Sequence, residues 1–138
     1  MVLTSLAEVE RAIRAAWSPD TCDPVDLPDW SPANPARGQC GVTALVLREL
    51  VGGELLLGPV LRRDGTRQGV HYWNRLDGGI EVDLTREQFS ADEIVQEPVV
   101  VDPPPGAPAR LREQYLLLRG RVHHALGIAV RLTVGRGA

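Results

Sequence analysis

Asn34-Pro35-Ala36-Arg37-Gly38-Gln39-Cys40-Gly41-Val42-Thr43-Ala44-Leu45-Val46-Leu47-Arg48-Glu49-Leu50-Val51-Gly52-Gly53 is the stretch on which the fold turns. Its first half, with Pro35 and Gly38, reads as a rigid loop. From Cys40 to Val51 the apolar residues fall on nearly every side of a helical wheel, and a helix apolar all round is a buried one. Gly52-Gly53 stops it. The spacing therefore predicts a buried helix over 40–51 with a cysteine in its first turn.

Working outward, Glu54 to Arg63 reads as a strand interrupted at Gly58-Pro59, which suggests a bulge or an edge. Residues 70–76 and 80–85 alternate clearly enough to be strands joined around Asp77-Gly78-Gly79. A two-residue turn would put the apolar residues of those strands on opposite faces. A three-residue loop pairs Leu76 with Ile80, Asn74 with Val82 and Tyr72 with Leu84, gathering Tyr72, Leu76, Ile80, Val82 and Leu84 on one core face. The other face then carries His71, Trp73, Arg75, Glu81, Asp83 and Thr85. Upstream, Ser5-Leu6-Ala7-Glu8 is a capping box that opens an amphipathic helix over 4–17. Pro19, Pro24, Pro28, Pro32 and Pro35 mark an ordered loop carrying Trp30. Downstream come a short helical turn at Arg86–Phe89, a Pro-rich connection from Pro98 to Pro108, and a helix over 109–126. The alternation of Val130, Leu132 and Val134 suggests a last strand. The expected class is α+β.

The chain has 138 residues, 15 Arg and Lys together (all of them Arg) and 18 Asp and Glu. A net charge of −3 leaves no electrostatic footprint for nucleic acid or anionic lipid. No apolar run approaches the roughly 20 residues of a membrane span. One domain over residues 1–138 is expected, with 128–138 as a candidate C-terminal extension. Two cysteines do not make a secreted framework, so a cytoplasmic protein with reduced thiols is the expectation, although spacing alone permits a Cys22–Cys40 bridge. His123-His124 point about 100° apart on a helix and share no ligand, and no Cys-x-x-Cys spacing exists, so no metal and no cofactor are expected.

The candidate chemistry starts at Cys40. Free N–H groups and the dipole of a helix N-terminus favour negative charge, which raises the thiolate fraction and offers donors to an oxyanion. In the preferred register His71 is the diagonal neighbour of Asp83. A carboxylate on one imidazole nitrogen fixes the tautomer and leaves the other nitrogen for a thiol. Cys40, His71 and Asp83 are thus the catalytic candidates. Gln39, Trp73 and Trp30 are candidates for oxyanion or substrate contact, Trp73 also for a shield over the His–Asp bond and Gln39 also for a simple helix cap. Asn34, Asn74 and Thr85 are candidates for structural support, Asn74 bracing the loop before Cys40.

Cys on a helix, then His and Asp on neighbouring antiparallel strands, is an order that resembles papain-like enzymes, transglutaminases, arylamine acetyltransferases and NlpC-type peptidases. That likeness is one of fold, not of reaction. It implies a papain-like domain, its Cys-bearing helix packed on a small antiparallel sheet with flanking helices. Four segments resemble the bacterial YunG-like family more closely: Asn34 to Gly41 with the helix it opens, Gly52-Gly53-Glu54-Leu55, His71-Tyr72-Trp73-Asn74, and Val82-Asp83-Leu84-Thr85. The resemblance covers roughly residues 1–122. It implies a short single-domain protein with no established reaction, and marks Gln39, Cys40, His71, Asn74, Asp83 and Thr85. The functional expectation is a cysteine-dependent hydrolase or acyltransferase acting on an acyl-bearing small molecule or peptide. The rivals are a binding or scaffold protein that keeps the geometry without turnover, and a thiol redox sensor with Cys22 as resolving partner.

Overall fold

The computed structural model describes residues 4–128, and the expected strand around Val130–Val134 and the proposed extension fall almost entirely outside them. Helix α1 spans Leu6–Ala16; the Ser5 hydroxyl accepts from Glu8 N–H, and the Glu8 carboxylate accepts from Ser5 N–H, so the capping box is closed. Helix α2 spans Cys40–Val51 and ends at Gly52 with φ +80°, a conformation open to glycine at little cost. Helix α3 spans Arg112–Leu126, shorter at its start than the sequence suggests. Leu111 precedes it at φ +61°, left-handed backbone that cannot begin a helix.

Helix α2 is buried because it lies between two layers. On one side Val42, Val46 and Leu47 join Ile13 of α1 and Leu118 and Val122 of α3 in the main core. Withdrawing each such aliphatic side chain from water is worth about 2 kcal/mol. On the other side α2 packs against the sheet, where the Asn74 amide donates to the Ala44 carbonyl at 2.9 Å and Tyr72 borders Gly41. Asn74 therefore braces the helix itself and not the loop before it.

The sheet is antiparallel, with β1 (Glu54–Leu61) at its centre. β2 (Arg67–Arg75) pairs with one side of β1, and β3 (Glu81–Val82) pairs with β2. On the other side of β1 run two short segments, β4 (Ile94–Val95) opposite Val60 and Leu61, and β5 (Val99–Val101) opposite Leu55 to Leu57. Gly58-Pro59 falls in the gap between them, bridged by the Gln96 N–H donating to the Pro59 carbonyl. The proline thus interrupts a central strand where the ladder on that side is already broken, and the register shift sits one step on, between Val60 and Leu61.

Asn74 faces Val82, Arg75 faces Glu81, and Leu76 N–H donates to the Ile80 carbonyl, which is the three-residue-loop register. Two expectations change. Only Glu81–Val82 pair as strand, and Ile80 is 65% exposed because it belongs to the turn and not to the core face. Conversely, the face carrying His71 and Trp73 is buried: Leu56 and Val60 of β1 share it and are buried with it, Trp73 stacks on the His71 ring, and Phe89 meets that ring edge-on from the turn after β3.

Candidate functional site

Cys40 is the first residue of α2 and is partly exposed. Like every helix start, α2 leaves its first N–H groups without partners further back along the helix. The loop that delivers Cys40 is fixed on several sides. Trp30 donates its indole N–H to the Pro35 carbonyl at 3.1 Å, Asn34 donates to the Gln88 carbonyl, and Gly38 N–H donates to the Gln88 side-chain oxygen at 3.2 Å. Arg37 reaches Glu93 at 2.9 Å and the same Gln88 carbonyl. Gln88 in turn donates to the Thr85 hydroxyl, two residues after Asp83. One buried glutamine therefore ties the cysteine loop to the aspartate loop.

His71 lies in the middle of β2 with no exposed surface. Its Nε2 is 2.8 Å from Asp83 Oδ2. A carboxylate only accepts, so the proton on that contact belongs to Nε2. Nδ1 is buried without a hydrogen bond of good geometry, yet the Cys40 thiol is close enough to act on the ring's charge. Burial works against the imidazolium, but the Asp83 hydrogen bond and the Cys40 contact outweigh it and hold His71 at about 9. Trp73 stacks on the ring at 5.3 Å between centroids, and Phe89 meets it edge-on at 4.8 Å. Trp73 is itself pinned, donating to Glu81 at 2.8 Å, and that bond holds the Glu81 carboxyl below its usual range. Of the two roles expected for Trp73, the shield fits its burial.

Gln39 neither caps α2 nor points a free amide at Cys40. Its oxygen accepts from the Thr21 hydroxyl at 2.7 Å and its nitrogen donates to the Ser18 carbonyl at 3.1 Å, so the carboxamide anchors the loop. Trp30 likewise serves its own loop and is absent from the lining of the cleft beside Gly41. Thr85 and Asn34 are structural, both through Gln88. Cys22 is buried against Gly38, its thiol bonded to the Asp23 and Arg37 carbonyls; burial, then Asp26 and Asp23, push it up to about 12. Among the described residues no group of three or more His, Cys, Asp or Glu is placed to hold a metal ion, and no helix is long and apolar enough to cross a membrane. Sequence reading missed Arg37, Gln88, Phe89 and Glu93. Only Phe89 carried a signal, as a large apolar residue ending a short turn.

No solved structure matches the chain. A protein of Bacillus subtilis (strain 168), called Uncharacterized protein YunG, is 29% identical over 86 residues, which cover 62% of this chain and 64% of that relative, just under two thirds of its length. A family model described as YunG protein matches residues 5–127, a span that contains every element and site residue described above. The chain belongs to the YunG family.

Proposed function

We propose that the chain is a cysteine-dependent enzyme, a hydrolase or acyltransferase acting on an amide or thioester through a papain-like set of Cys40, His71 and Asp83. The observation that supports this reading is the asymmetry of the His71 ring: one nitrogen is held by Asp83 at 2.8 Å, the other is buried without a hydrogen bond, and the Cys40 thiol is close enough to act on the ring's charge. Because His71, at about 9, already holds a proton on each ring nitrogen at neutral pH, the Cys40 sulfur attacks the acyl carbonyl as a thiolate beside that imidazolium. The oxyanion is met by the backbone N–H of Cys40. Collapse breaks the bond to the leaving amine or thiol, which takes the proton from Nδ1, and leaves a thioester on Cys40. Water or an acceptor amine then attacks that thioester, returning a proton to Nδ1 and regenerating the thiolate. Asp83 orients the ring and supports its charge throughout. The acyl donor is a small molecule or peptide, and the protein works in the cytoplasm with reduced thiols.

A second reading, a binding or scaffold protein without turnover, draws support from the full burial of His71. A redox pair with Cys22 has the least support, since a buried thiol at about 12 is a poor resolving nucleophile. Labelling by a fluorescent iodoacetamide decides between the first two. The enzyme reading expects fast labelling at pH 7, lost in Cys40→Ser and slowed about tenfold in His71→Ala. Equal rates in wild type and His71→Ala, with both folded, remove it.

A further inference from the structure

Beside the start of α2 lies a cleft of about 290 Å³, at the small end for ligand sites. Gly38 and Gly41, which bracket Cys40, belong to its lining, and Cys40 itself does not. Its walls are apolar: Leu45 from α2, Leu55 and Leu57 from β1, Tyr72 from β2, Val101 from β5 and Leu111 before α3. The charged residues at its edges are not balanced. Asp23, Asp26 and Asp102 line it, against Arg110 alone. Arg110 is already spent on Asp23, at 2.7 Å. Arg37 gives its short contacts to Glu93 and stands 3.5 Å from Asp26, an ion pair without a hydrogen bond. Asp26 thus faces the apolar cavity with Arg37 as its ion-pair partner, and Asp102 faces it without an ion pair among the described residues. Burial lifts the Asp26 carboxyl above its ordinary range in spite of Arg37, and the neighbouring Asp23 and Asp29 add to the lift.

We propose that this cleft binds a small apolar amine in its protonated form, the hydrocarbon against Leu57 and Tyr72 and the ammonium between Asp26 and Asp102. A carboxylate of the same shape meets like charge here, and a neutral analogue leaves Asp26 as it was. The binding stands by itself; its meaning as the leaving or accepting amine of an acyl transfer at Cys40 rests on the function proposed above.

Calorimetric titration of the full chain with phenethylamine, 2-phenylethanol and 3-phenylpropionate at pH 7 and low salt tests it. Phenethylamine should saturate and bind about tenfold more tightly than either counterpart. Asp26→Asn should reduce that preference about tenfold. Asp102→Asn, at an exposed position where folding is not at stake, should reduce it about threefold and more weakly as salt rises. Indifference among the three probes, preference for the anion, absence of saturation, or a preference unmoved by both variants overturns the proposal. Parallel labelling of Cys40 separates the two ideas. Amine binding with no effect of His71→Ala keeps the cleft and sinks the cysteine chemistry; His71-dependent labelling without amine binding does the reverse.

Discussion

Cys22 packs against Gly38, two residues before Cys40, so the two thiols belong to neighbouring parts of one loop system and still live in opposite environments. Around Cys22 the loop closes: the residue is 1% exposed, its thiol donates to backbone carbonyls and has Asp23 and Asp26 as neighbours, all of which favour the thiol. At Cys40 the loop opens into a helix start, the residue is partly exposed, and the thiol neighbours an imidazole that Asp83 helps to keep charged. What separates a packing residue from a candidate nucleophile here is the direction of local charge and not the residue type. Gly38 stands between the two, and each test below attacks one side of that contrast or the link across it.

The largest effect is expected at Gly38. Its φ is +73°, its carbonyl accepts from Asp23 N–H, and a Cβ placed on it would run into the Cys22 sulfur and come within 2.9 Å of the Asp26 Cβ. Gly38→Ala combines left-handed strain with overpacking and should destabilise by about 3 kcal/mol in urea denaturation. Adding Cys22→Ala should recover about 1 kcal/mol, because the sulfur is part of the clash. A loss no greater than that of Gly65→Ala, where φ is +89° and no atom lies within 4 Å of the added Cβ, would show that Cys22 and Gly38 are not packed as described.

Next in size is the charge at His71. Its folded pKa, about 9, is raised above the ordinary 6.5. The native state therefore holds the proton more tightly than the unfolded chain. That contribution to stability is complete below about pH 6.5 and is lost as pH rises through 9. Cys22 is raised too, but from 9, so its own contribution is lost only above this window. Unfolding free energy should thus fall from pH 6.5 to 9 in the wild type. In Asp83→Asn, where burial is opposed only by Cys40, the slope should flatten and Cys40 labelling at pH 7 should slow about tenfold. An unchanged slope would mean that the Asp83 contact does not hold the proton.

Sequence and structure agree where a period or a stop signal was strong. Helix α2 was legible to the residue because an unbroken apolar helix ran into Gly52-Gly53. The β2–β3 register was legible because side chains alternate with period two, so that only one loop length united the apolar sets. That register put His71 beside Asp83 before any coordinates. Strands β4 and β5 were not legible: two and three residues inside Pro-rich sequence show no alternation, and only pairing with β1 makes them strands. The burial of His71 was missed for a related reason. A strand face with His, Trp and Arg looks solvated until Phe89 and the aromatic stack are brought over it from elsewhere in the chain. Gln39 shows the limit from the other side, since nothing local announces that its amide will be taken up by Ser18 and Thr21.

The smallest effect tests the link. Gln88 is 5% exposed and bridges the cysteine loop and the aspartate loop: it accepts from Gly38 N–H at 3.2 Å and donates to Thr85 at 3.0 Å, while its carbonyl takes Asn34 and Arg37. Gln88→Leu keeps the carbonyl and the volume but strands the Gly38 N–H, at a cost of about 1 kcal/mol. If that were all, Cys40 would label at the wild-type rate in whatever fraction is folded. A positioning role predicts more: labelling of the folded protein slows about threefold, because Cys40 and Asp83 lose their common reference while each loop keeps its other anchors. Gln88→Glu discriminates further. Its carboxylate still accepts from Gly38, and the Thr85 hydroxyl turns to donate where it had accepted, so both loops stay tied and the labelling rate returns toward wild type. Equal slowing in Leu and Glu variants of matched stability would make Gln88 a packing residue, and the closed and open halves of the loop would then be independent.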